Sequence, residues 1–233
     1  VPTLELPSIT AMKEQIALCL QMLENCDVID YNGHASVRLD DGRILINAGS
    51  CRRTHCTADD ICTISMDGEL LEGHSKPPLE YHLHLGIYRA RPDVKAIIHA
   101  HPRWSTFLTM VGKRYEPVYA QGSLVYPVPV LDTPNSINNP TMADRLAATL
   151  GDRPAAFMKS HGAVTVGSSI IEAFVLAIYI EENSYRQHMA LQIGQPYVFS
   201  NEEMTLCREK LWNETLFQRT WDHYQAKLEI SRR

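Results

Sequence analysis

Four residues of this chain have types and spacings that could do chemistry together. The segment "AIIHAHP", residues 96 to 102, is a short apolar run ending in His99 and His101. Residues i and i+2 of a strand project to one face. Two imidazoles side by side repel if both are charged, and are poorly satisfied if both are buried and neutral without partners. A divalent cation resolves the conflict, because each ring can present a lone pair to one ion. The alternative is that one ring bonds to backbone and the other is solvated. A second apolar run, "AAFMKSHGAVTVG", sets His161 directly before Gly162 as a candidate third ligand. Glu80 follows "SKPP" at the expected start of a helix, where unpaired backbone N–H groups favour a carboxylate. It could reach a metal or serve as a general acid/base. Three histidines and a glutamate would leave metal positions open for a substrate. His84, one turn after Glu80, is expected beside the set. His82 points elsewhere, and His34, His55, His74 and His188 have no claim from spacing.

Hydropathy periodicity supplies the elements that would carry these residues. Residues 9 to 25 have apolar positions at helical spacing. Residues 34 to 47 alternate on either side of Asp41–Gly42, as in a tight hairpin. Thr57 and Asp60 form a capping-box pattern ahead of a strand from Ile61 to Ser65, with a turn at Asp67–Gly68. A helix is expected over residues 79 to 91, behind Pro77 and Pro78. The buried strand "VKAIIHAHP" and a helix from Arg103 follow. The proline-interrupted "SLVYPVPVLD" suits an edge strand or extended segment. Next come a helix over residues 141 to 150, a strand–turn–strand around His161, and a long helix over residues 169 to 192. A further helical stretch covers residues 202 to 229, with a break expected near Thr220. The pattern is one α/β domain over residues 1 to 233, residues 200 to 233 being a C-terminal helical extension. Its central sheet is mixed or antiparallel, with helices on both faces.

Composition narrows the function classes. The chain has 233 residues and 45% hydrophobic content, enough for a sizeable core. Its formal charge is -5, and no long basic run exists, so a nucleic-acid partner is not expected. No apolar run approaches the roughly 20 residues of a spanning helix, so no membrane partner is expected. With neither a leader-like start nor a CxxC pair, the six cysteines are expected as free thiols in the cytoplasm. The chain lacks GxGxxG, GxxxxGK[ST] and G-x-S-x-G, which leaves no pattern for a nucleotide, flavin or serine-hydrolase site.

The run "EYHLHLGIYRARPDVKAIIHAHP", with "KSHGAVTVG" downstream, resembles the class II aldolase/adducin family from about residue 10 to residue 195. The resemblance implies a three-layer α/β fold. It makes His99, His101 and His161 the ligands of one divalent metal per subunit, Mn being the first choice and Zn, Co or Fe the alternatives. Glu80 becomes the acid/base. A cyclic homotetramer is implied, with sites between subunits. The segments matching the family's phosphate cradle read "INAGSCRR" and "KPPLE" here. Pro78 has no N–H and Leu79 no hydroxyl, so the cradle is short of donors. Within the family the chain is therefore most similar to decarboxylases of hydroxylated aromatic dicarboxylates, such as 3-hydroxy-2-methylpyridine-4,5-dicarboxylate or a dihydroxyphthalate. That branch implies a small aromatic acid as substrate, its ring hydroxylate and adjacent carboxylate chelated by the metal. Asn32, Ser50, Arg52 and Arg53 are then candidate substrate contacts, either arginine offering a planar fork to a ring carboxylate. Tyr119 and His223 are candidate catalytic groups, His223 entering a neighbour's site. The alternative is an aldolase or epimerase acting on a sugar phosphate such as fuculose phosphate or ribulose phosphate.

Overall fold

The structure is a computed structural model, and it describes residues 8 to 232. Helix α1 (Ile9–Asn25) opens with Ser8 as its cap, the hydroxyl accepting from the Ala11 N–H. Strands β1 (His34–Arg38) and β2 (Ile44–Asn47) form the expected hairpin, with Gly42 at positive φ in its turn. The Thr57–Asp60 capping box closes a 3-10 turn ahead of β3 (Ile61–Ile64). Strand β4 (Leu70–Glu72) was not expected from sequence. It is three residues long, exposed throughout, and so carries no alternation. Then come α2 (Tyr81–Ala90), β5 (Ala96–Ala100), α3 (Arg103–Met110), β6 (Val130–Leu131) and α4 (Pro140–Leu150). Strands β7 (Ala155–Met158) and β8 (Gly162–Gly167) precede α5 (Ile170–Ile193), α6 (Asn201–Leu211) and α7 (Glu214–Ser231).

The eight strands form one sheet in the order β4-β3-β2-β1-β5-β8-β7-β6. Every pairing is antiparallel except β6 with β7. The proline-interrupted segment contributes only the two residues of β6, at the sheet edge where missing N–H donors cost least. Its first two residues, Ser123 and Leu124, instead close a 3-10 turn that begins at Ala120.

Strand alternation divides the core into two. Ala96, Ile98 and Ala100 of β5 face α1, α5 and α7, where Phe174 meets Trp221 edge-on. Ile97 faces α2 and α4. The sheet is thus covered by helices on both sides, a three-layer α/β arrangement. The C-terminal helices break at Trp212–Asn213 and not near Thr220, because the Asn213 side chain accepts from the Leu216 N–H and starts α7 there. No helix of the described residues is long and apolar enough to cross a membrane.

Candidate metal centre

His99 and His101 stand at the C-terminal end of β5, where the chain turns into α3. The buried Glu181 carboxylate of α5 fixes that turn, accepting from the Trp104 and Ser105 N–H groups at 2.7 and 2.9 Å and from the Ser105 hydroxyl at 2.9 Å. A carboxylate there answers the orphan donors of the first helical turn. His161 lies in the β7–β8 turn. Ser160, ahead of it, has a φ of 55°, and its N–H donates to the Thr109 hydroxyl at 2.8 Å. Gly162, after it, packs so tightly on β5 that a Cβ would sit 2.3 Å from the Ala100 carbonyl oxygen. Only glycine allows β8 to approach there and bring His161 to the pair.

Glu80 completes the group, and one ligand atom from each of the four residues lies within 4.8 Å of the others. Glu80 stands at the start of α2 but makes no side-chain cap. Its Oε1 instead accepts from the Ile137 N–H at 2.7 Å, so a loop ahead of α4 holds it and not the helix end. Oε1 lies 3.7 Å from His161 Nε2, and Oε2 lies 3.5 Å from His99 Nε2. Burial alone would raise the Glu80 pKa. The His34 ring beside Oε2 and the Ile137 N–H outweigh it and hold the group below the usual carboxylate range.

The tautomers follow from the partners. His99 Nδ1 lies 3.0 Å from the Ala163 carbonyl oxygen, which only accepts, so Nδ1 carries the proton. His101 Nδ1 lies 3.2 Å from both oxygens of Asp30 and carries its proton for the same reason. Burial and the adjacent His99 push the His101 pKa down, which keeps the ring neutral. Both Nε2 atoms then bear lone pairs, and they face each other at 3.1 Å. Two nitrogens bound to one ion at about 2.0–2.1 Å are separated by about 2.9–3.4 Å. The observed gap falls inside that range, and a cation between the rings converts a repulsion into two bonds. The His161 pKa is pushed down by burial, so this ring also offers a lone pair. The residues present thus fit one divalent metal per chain.

The other expected site residues are scattered. Arg53 is 4% exposed, and its fork is spent on backbone. Nε donates to the Gly33 carbonyl at 2.6 Å, and Nη1 to the Cys51 carbonyl. It braces the loop and is not a free fork for a substrate carboxylate. Arg52, Ser50 and Asn32 are exposed. Tyr119 lies under the Arg186 guanidinium of α5, which is 4.1 Å from the ring centre. His223 is exposed on α7, edge-on to Tyr224. A cavity of about 770 Å³ opens elsewhere, between Lys113, Tyr126, Asp132, Arg153 and Lys159, and none of the four convergent side chains lines it. All six cysteines are free.

Two functional neighbours were missed. Asp30 orients His101, the carboxylate–histidine arrangement common behind metal ligands. Nothing in its spacing signals this, since it lies 71 positions from its partner. His34 is buried, pairs with His99 across β1 and β5, and has Nε2 4.0 Å from Glu80 Oε2. Its signal was available in part: His34 and Ser36 share one face of β1, as Glu80 and His84 share one face of α2.

The centre combines three imidazoles and a carboxylate around one cation position. It is the active site of a metal-dependent carbon–carbon lyase of the aldolase type, and it suits retro-aldol cleavage and decarboxylation alike. Comparison with known proteins fits this centre. The chain is 30% identical over 172 residues to an L-fuculose phosphate aldolase of Methanocaldococcus jannaschii, covering 74% of this chain and 92% of that one. It is 29% identical over 189 residues to a 3,4-dihydroxyphthalate decarboxylase of Arthrobacter keyseri, covering 72% and 74%. The fold matches an L-fuculose 1-phosphate aldolase from Glaciozyma antarctica with a TM-score of 0.84 at 21% identity, over 98% of this chain and 93% of that one. The model of the class II aldolase and adducin N-terminal domain matches residues 13 to 188, and the chain belongs to that family.

Proposed function

We propose that this chain cleaves a carbon–carbon bond next to an oxygen-bearing carbon of a sugar phosphate or related phosphorylated hydroxy-ketone, releasing an aldehyde. The observation that carries the lyase reading is the pair of imidazole lone pairs meeting at 3.1 Å with a fixed carboxylate beside them. The substrate class is supported by the similar proteins, among which aldolases of fuculose phosphate, 5-methylthioribulose 1-phosphate and 5-deoxyribulose 1-phosphate recur at 25 to 30% identity. A divalent cation, Mn first, supplies Lewis-acid stabilisation of the negative charge that builds on oxygen as the bond breaks. His99, His101 and His161 hold it. Glu80 is the acid/base: Oε1 is pinned by the Ile137 N–H, which leaves Oε2 to accept the proton of the reacting hydroxyl and return it to carbon. Because the pocket favours the carboxylate form, proton acceptance comes first.

Decarboxylation of a hydroxylated aromatic dicarboxylate is the second reading, and the segments facing Glu80 favour it. Pro78 offers no N–H and Leu79 no hydroxyl where a phosphate would need donors, and the Gly49 N–H is committed to the Lys76 carbonyl at 3.0 Å. Dihydroxyphthalate decarboxylases stand among the similar proteins at 29 and 30% identity. In either reading the protein is a homotetramer whose neighbour contributes His223, and Tyr119 is the further catalytic candidate. Purified protein with Mn²⁺ is to be incubated with fuculose 1-phosphate and, separately, with 3,4-dihydroxyphthalate. Aldehyde release from the first supports the leading reading. Carbon dioxide release from the second alone replaces it, and neither product with any of Mn²⁺, Zn²⁺, Co²⁺ or Fe²⁺ removes both.

A further inference from the structure

Behind Glu80 runs a buried chain of polar groups that binding of a metal does not require. It begins at His34, whose Nε2 is 4.0 Å from Glu80 Oε2, an electrostatic contact longer than a hydrogen bond. His34 Nδ1 lies 2.7 Å from His84 Nε2, His84 Nδ1 lies 2.6 Å from the Ser36 hydroxyl, and that hydroxyl lies 2.8 Å from the Tyr88 hydroxyl. All four side chains are buried. Two periodicities build the chain. Glu80, His84 and Tyr88 are spaced by four and fall on one stripe of α2, and His34 and Ser36 are spaced by two on the facing side of β1.

Each neutral imidazole has one proton to give, so the whole chain must point in one direction. If His84 gave its Nδ1 proton to Ser36, its Nε2 would accept from His34, and the His34 Nε2 lone pair would face an anionic carboxylate. The opposite order avoids that repulsion. Tyr88 donates to Ser36, Ser36 to His84 Nδ1, and His84 Nε2–H to His34 Nδ1, which leaves the His34 Nε2–H aimed at Glu80. Both rings lie inside the protein, at 1% and 0% exposure, where an imidazole without a counter-charge in contact stays neutral.

We propose that His34 is a positioning residue for Glu80, with Ser36 and His84 fixing its tautomer so that an N–H, and not a lone pair, faces Oε2 and keeps that oxygen turned to the reacting atoms. This rests on Glu80 being the acid/base, as read above. Ser36 touches neither the candidate ligands nor Glu80, so Ser36→Ala tests the idea without disturbing them. Tyr88→Phe is the matched control. It also deletes a buried hydroxyl of the chain, but leaves the Ser36 donation to His84 intact.

Two measurements decide it. In ¹⁵N-histidine-labelled protein loaded with diamagnetic Zn²⁺, and assigned by single-histidine replacements, His34 and His84 should both be protonated at Nε2. In steady-state kinetics on whichever substrate the wild type cleaves, Ser36→Ala should lower kcat roughly 10- to 100-fold with KM and metal content unchanged. Tyr88→Phe should keep kcat within about twofold, because the orienting donor remains. His34 protonated at Nδ1 overturns the proposal, as does a Ser36→Ala enzyme with wild-type kcat. If the wild type cleaves no tested substrate, the functional reading fails, and the tautomer measurement decides the proposal alone. It does so equally if Ser36→Ala does not fold.

Discussion

Asp30 and His101 are joined by two nearly equal contacts, each carboxylate oxygen 3.2 Å from the ring Nδ1. The Asp30 pKa is held below its ordinary value: partial burial pushes it up, and the Asn32 N–H and the His101 ring more than compensate. An anion behind the ring makes the opposite nitrogen a better donor to a metal. Asp30→Asn should therefore weaken metal binding about 10- to 100-fold while the fold persists. Chelator competition followed by metal analysis measures it, and unchanged affinity would remove Asp30 from the centre.

The four convergent side chains should separate into two classes. His99→Ala or His161→Ala should lose both metal and activity, with circular dichroism unchanged. Glu80→Gln preserves the oxygen that accepts from Ile137 and should retain metal while turnover falls by about 10²- to 10⁴-fold. Normal turnover in that variant would assign the proton chemistry elsewhere.

Stability without metal should fall in acid. Burial pushes the His34 pKa down to about 3 and the His84 pKa well below the ordinary histidine range. An unfolded histidine takes up its proton near about pH 6.5. Between those values the unfolded chain binds more protons than the folded one, so stability is fully present above about pH 6.5 and drains as pH falls toward about 3. The loss should approach roughly 1.4 kcal/mol per pH unit for each ring kept neutral. Urea unfolding of metal-stripped protein at stepped pH measures this slope, and a flat profile would mean that the rings charge inside the fold.

The two neighbouring arginines should behave oppositely. Arg53→Lys gives up a fork shared between the Gly33 and Cys51 carbonyls and should cost about 1–3 kcal/mol in chemical denaturation. Arg52→Ala, on the exposed side, should leave stability within about 0.5 kcal/mol. A change in KM confined to Arg52→Ala would mark it as the substrate-facing member.

Residues whose partners are close in sequence were legible in it. The helices and strands bearing Glu80, His99, His101 and His161 follow from hydropathy period, and the histidine pair follows from alternation along β5. What the chain assembles across distance was not legible. Asp30 meets His101 across 71 positions, and His34 meets His99 only because β1 pairs with β5 in that register. Arg53 reads as a solvated or substrate-facing group in sequence, yet the loop buries it because two carbonyls there need a donor. Glu80 was expected to be held by its helix end. A backbone N–H from a loop 57 positions later holds it instead.

The ladder of β5 with β8 sets Ala100 opposite Ala163 at a separation that only Gly162 permits. The scaffold under His99, His101 and His161 is therefore set by main-chain pairing. A socket set in this way should keep one geometry whichever ion fills it, so a series of different ions in the same crystal or the same cuvette would compare the elements themselves and not the shapes they impose.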